Sequence, residues 1–208
     1  MAQLKAFFCD VVFDGCSWDV GDDLLSPSVA SSSQPPPPTK TPNLQSFQQQ
    51  LNELISTEKS YVKRINALKI NYADPLRHFA KHKDTQIINH FDAKSLFANI
   101  DQILHINTAF LNELEHANEL NIGNICLSHF PYFSPYNQYY FNRQKSVDLF
   151  KDLLKKKSFV EFIDRTKWQT TGINNIGLRE LLMEPVQRIP RYILLLQGEN
   201  MSSYSHPR

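Results

Sequence analysis

An all-α fold, an elongated helical bundle, is what this 208-residue sequence predicts. Three observations predict it. Leu44, Phe47, Leu51, Leu54, Tyr61, Val62, Ile65 and Leu68 recur in steps that place them on one helical face. That pattern runs for about 30 residues without Gly or Pro, far beyond the globular average of about 11–12. Third, no apolar/polar alternation is long enough to read as a strand, and the chain has only 6 glycines, too few for a turn-rich β protein.

The chain-wide properties exclude several classes. The formal net charge is +1, from 22 basic and 21 acidic side chains, so there is no surplus for general nucleic-acid binding. Cys9, Cys16 and Cys126 are odd in number and widely spaced, without a CxxC. They argue against a disulfide framework or a zinc site and for a reducing, cytoplasmic setting. The opening run MAQLKAFFCDVVFDGC is broken by Asp10 and is too short for a signal-peptide core. No stretch reaches the ~18 apolar residues of a transmembrane segment.

The elements follow in order. Residues 1–42 read as a disordered Ser/Pro-rich tail that cannot build a core. Pro35–Pro38 form a stiff polyproline stretch, either a ligand for a proline-binding module or a plain spacer. The first helix starts near Asn43 and stops near Pro75. A second follows Asp92, taken as its N-cap, with Leu96, Ile100, Ile103, Asn107, Phe110 and Leu114 on one face. Pro131 and Pro135 break the aromatic stretch 123–141, and a helix then carries Tyr139, Tyr140, Val147, Leu149 and Leu153. Residues 158–168 form a short amphipathic helix and 170–177 a loop.

The stretch LLMEPVQRIPRYILLLQ, residues 181–197, reads as a buried helix, yet it holds Pro185 and Pro190 and carries Arg188 and Arg191. It closely resembles the third conserved block of the Dbl homology domain, the exchange module of guanine-nucleotide exchange factors for Rho-family GTPases. NELISTEKSYVKRI, from Asn52, is similar to the family's first block, and LFANIDQILHINTAFLNELE, from Leu96, to its second. The blocks occur in the family's order and span residues 43–197, read as a partial Dbl homology domain. Residues 198–208 read as a short non-family tail.

The resemblance implies an elongated all-helical fold and a function. That function is guanine-nucleotide exchange on a Rho-family small GTPase, stimulating GDP release by remodelling its switch segments, with no covalent chemistry in the factor. It implies GTPase-binding residues: Glu53 toward the first switch, Arg191 toward the second, and Gln187 and Arg188 near the same surface. Each has a plainer alternative. Glu53 can be a solvated helix glutamate, Arg191 a partner for Glu184 or Glu180, and Gln187 and Arg188 structural. Thr57, Glu58, Tyr61 and Tyr192 are motif members expected to serve the fold, the tyrosines with a hydroxyl reaching a partner. Pro190 is expected to bend the helix so that Arg191 faces the switches.

The family pattern also contains a further helix with a GTPase-binding asparagine, and a pleckstrin homology domain usually follows. In this sequence that last helix is expected to be missing. The expectation is a marginal fold, with Leu194–Leu196 short of partners, and weak exchange at best. The alternative function is a helical interaction module that binds a GTPase or other signalling partner without exchange. His78 and His82, with His90 nearby, read as surface histidines rather than a metal site. No GxxxxGK[ST] or GxGxxG occurs, and no cofactor is expected. The basic cluster 151–158 reads as a solvated helix end, with recruitment to an anionic membrane as the alternative.

Overall fold

The computed structural model describes residues 44–196, which are almost wholly helical and contain no strand. The tail 1–42, with Cys9, Cys16 and Pro35–Pro38, and the tail 198–208 lie outside the described residues. The helices are α1 (Leu44–Ala67), α2 (Asp74–Phe79), α3 (His90–Phe97), α4 (Ile100–Leu114), α5 (Ile122–His129), α6 (Pro135–Leu153), α7 (Lys157–Gln169) and α8 (Leu178–Leu196).

Helix α1 forms where the apolar stripe predicts it: Phe47, Leu51, Leu54, Tyr61 and Ile65 are all buried. It does not stop near Pro75. A π-helical segment, Leu68–Ala73, joins it directly to α2. Pro75 sits in the first turn of α2, directly after the π-helical segment. The chain is therefore helical from Leu44 to Phe79.

The second expected helix is two helices. Asn89, not Asp92, is the N-cap of α3: its Oδ1 accepts from the Asp92 N–H at 2.7 Å. Asx residues cap by accepting from the third helical position, and Asp92 occupies that position. Ala98, with φ 45°, ends α3, and α4 begins at Ile100. Asn99 fixes the corner by donating from Nδ2 to the Pro135 carbonyl at 2.9 Å. The aromatic stretch holds a helix that proline counting passes over: α5 precedes Pro131, and a 3₁₀ turn, Phe130–Phe133, links it to α6. The short amphipathic helix and the 170–177 loop lie where expected.

Helix α1 packs against both α4 and α8, and α6 packs against α3 and α8. An aromatic cluster fills the centre. Phe110, Phe130, Phe133 and Tyr192 meet with ring centroids 5.5–5.9 Å apart in five of their pairings. Offset and edge-on aromatic pairs each add about 0.5–1.5 kcal/mol beyond their area. Helix α8 runs unbroken through both prolines. Each removes a backbone bond, at about 3 kcal/mol. Its packing on two sides offsets that: Tyr139 donates to the Leu182 carbonyl at 2.9 Å from α6, and ion pairs join it to α1. At its end Leu196 is buried and Leu195 half-buried; only Leu194 of that trio stands out, 71% exposed.

Candidate functional site: the seam between α1 and α8

Helices α1 and α8 run antiparallel, because Arg64 meets Glu184 while Glu58, earlier on α1, meets Arg188, later on α8. Arg64 grips Glu184 twice: Nε lies 2.6 Å from Oε1, and Nη2 donates to Oε2 at 3.1 Å. This two-point pair marks the outer edge of the seam.

Inside the seam lies a polar network. Glu58 is completely buried. Its Oε2 accepts from Arg188 Nη2 and from the Tyr192 hydroxyl, the latter at 2.6 Å. Asn107 Nδ2, from α4, donates to Glu58 Oε1 at 2.9 Å and to the Tyr192 oxygen at 2.8 Å. Tyr136 donates to Asn107 Oδ1 at 2.8 Å and shares a 2.8 Å bond with the Tyr61 hydroxyl. The Arg188 guanidinium also stacks 4.3 Å from the Tyr192 ring centroid. A buried carboxylate survives only when paired and hydrogen-bonded, and Glu58 is both. Burial, followed by the Glu58 charge, pushes the Tyr192 hydroxyl well above its ordinary range, so it stays a donor.

This geometry sorts the expected site residues. Arg188 is 3% exposed and engaged by Glu58 and Thr57, so its head group is not open to a partner. The expectation that it serves the surface is corrected: it lies on the α8 face turned toward α1, and Glu58 anchors it there. Glu53, Gln187 and Arg191 are exposed. Among the described residues, neither Glu53 nor Arg191 has a side-chain partner. Glu184, the plainer partner for Arg191, is already held by Arg64.

Helical periodicity then places the exposed pair. Glu53 lies eleven residues before Arg64, just over three whole turns, and so on the same flank of α1. Arg191 lies seven residues after Glu184, almost two turns, and so on the same flank of α8. Both flanks face the seam. The helical rises, about 17 and about 10 Å from the Arg64–Glu184 pair, differ by only about 6 Å. Gln187 and exposed Leu194 flank Arg191 at one-turn spacings, extending the strip along α8.

Two members of this site were not legible as such. Asn107 falls in the α4 apolar stripe, four residues after Ile103, and the signal was its polarity at a buried position. Tyr136 was only one of many aromatics in its stretch.

Comparisons with known proteins place this fold in a family. The family model described as "RhoGEF domain" matches residues 50–203, which take in the whole seam. The chain belongs to the RhoGEF domain family. A relative named Rho guanine nucleotide exchange factor gef2, from Schizosaccharomyces pombe, is 34% identical over 189 residues. These are 82% of this chain and 17% of that protein. The proto-oncogene vav of Rattus norvegicus is 26% identical over 85% of this chain and 20% of its own length. The chain thus spans about a fifth or less of the length of these relatives. In fold, it resembles a solved structure of the Vav1 exchange factor with its PH and C1 domains. The TM-score is 0.66, at 20% identity over 76% of this chain and 43% of that one. A structure of the DH/PH domains of p115-RhoGEF matches at a TM-score of 0.65, 18% identity, over 77% of this chain and 47% of that one. In this RhoGEF domain the motif residues divide by depth: Thr57, Glu58, Tyr61, Arg188 and Tyr192 hold α1, α4 and α8 together, while Glu53, Gln187 and Arg191 stand outside.

Proposed function

We propose that this chain is a guanine-nucleotide exchange factor for a Rho-family small GTPase, and that the GTPase docks along the α1–α8 seam. The observation that carries the proposal is the pair Glu53 and Arg191, opposite in charge, exposed and flanking one seam of a family fold. Glu53 accepts hydrogen bonds from donors in the first switch. Arg191 forks onto carbonyls or a carboxylate of the second, with Gln187 beside it and Leu194 offering an apolar contact.

No bond is made or broken in the factor. A GTPase holds its nucleotide through phosphates and magnesium, so the factor accelerates release only by binding the loosened state better. A thousandfold acceleration needs about 4 kcal/mol of differential affinity. Hydrogen bonds to charged groups contribute about 1.5–3 kcal/mol each, so two or three such contacts suffice. They must be rigidly placed, and the buried Glu58–Arg188–Tyr192 network supplies that rigidity beneath them. A cytoplasmic setting fits this reading.

The test is release of a fluorescent guanine nucleotide from a panel of Rho-family GTPases. Faster release from at least one member is expected. Binding without faster release would instead make the chain a non-exchanging helical interaction module.

A further inference from the structure

A recess lies on the opposite flank of α8 from the seam. It is a groove of about 400 Å³ between α6 and the first turns of α8. Val147, Phe150 and Leu182 contribute to its apolar floor, and Arg143, Lys151 and Arg179 stand around it. No acidic residue lines it. Arg179 has no ion-pair partner among the described residues. Arg143 only stacks on Tyr140, at 4.9 Å, and the Lys151–Asp148 contact at 3.2 Å joins two well-exposed side chains, which holds the charge weakly. An apolar floor under three cations fits an apolar, acidic peptide.

The chain itself contains such a peptide. Residues 1–25 carry Asp10, Asp14, Asp19, Asp22 and Asp23 against a single Lys5, interleaved with Phe7, Phe8, Val11, Val12, Phe13 and Trp18. We propose that residues 1–25 dock in the α6–α8 groove of their own chain. Length permits it. The groove lies near the level of Arg64, about 30 Å along α1 from Leu44. Residues 26–43, at about 3.1 Å each as polyproline, reach about 55 Å. The segment 197–208 has only Glu199 against Arg208 and no acidic run, so it lacks the complementary charge. The proposal is independent of nucleotide exchange.

The native thiols Cys9 and Cys16 make the contact measurable in the full chain. A Lys151→Cys variant places a thiol at the groove rim; Lys59→Cys, exposed on α1, is the control. Under mild oxidation, the thiol introduced by Lys151→Cys should join Cys9 or Cys16 within one chain about tenfold faster than the thiol introduced by Lys59→Cys. Adding Arg143→Glu and Arg179→Glu should remove that preference while the helical circular dichroism is unchanged. Equal rates at the two positions, disulfides between chains rather than within one, or a preference that survives the charge reversal would each overturn the proposal.

Discussion

Glu58 is the residue on which the interior depends. Its carboxylate takes Arg188, Tyr192 and Asn107 from two other helices, and it has no route to water. Removing it strands the Arg188 charge in the core. Glu58→Ala should therefore cost about 3–5 kcal/mol in urea unfolding, whereas replacing Glu58 and Arg188 together by apolar residues of similar volume should cost far less. Equal costs would show that the pair does not act as a unit. Cys126 is simpler. Burial pushes its thiol up to about 12. In the folded chain at pH 8, iodoacetamide should leave Cys126 unmodified, as peptide mapping would reveal, and denaturant should expose it. At this scale the sequence was informative for residue types with one use. Tyr61 and Tyr192 were expected in the core with partnered hydroxyls, and both are there. Arg188 was not legible, because its neighbours Gln187 and Arg191 are exposed, and only the rotation of α8 separates them.

At the scale of elements, α1 was readable because a long apolar stripe has one interpretation. Its extension past Pro75 was not, because a π-helical turn leaves no periodic mark that six residues can reveal. The α3–α4 corner was hidden for a related reason: Ala98 adopts a φ of 45° without the Gly that would announce it. Helix α8 carries the element-level prediction. Pro190 is half-buried and precedes Arg191. If Pro190 serves to aim Arg191, then Pro190→Ala should slow exchange several-fold while leaving the melting temperature unchanged or raised. Exchange at the original rate would show that the proline serves packing alone.

For the whole molecule, the buried tyrosines set an alkaline limit. Burial raises Tyr61, Tyr136, Tyr139 and Tyr192, with neighbouring charges adding for Tyr61, Tyr136 and Tyr192, and burial followed by the Glu180 and Asp164 charges lifts Tyr72 to about 12. A phenol whose folded pKa exceeds its unfolded value of about 10 keeps its proton longer in the folded state. Its stabilising contribution is complete below about pH 10 and is lost as pH rises from there through the folded value. Urea midpoints should hold between about pH 7 and about 9.5 and then fall steeply; a flat profile to about pH 11.5 would contradict the burial of these rings. The architecture as a whole was legible because its periodicity and three ordered motifs agree. What they could not supply was depth, since a motif marks which residues recur and not which face of a helix they occupy.

On the proposed reading, Glu53 and Arg191 act together on one partner from the two flanks of the α1–α8 seam. The most direct measurement is nucleotide release from a responsive Rho-family GTPase with Glu53→Ala, Arg191→Ala and the double variant, each checked for an unchanged melting temperature. Each single change should slow release about tenfold or more. Release at the original rate in both single variants, with the fold intact, would contradict it.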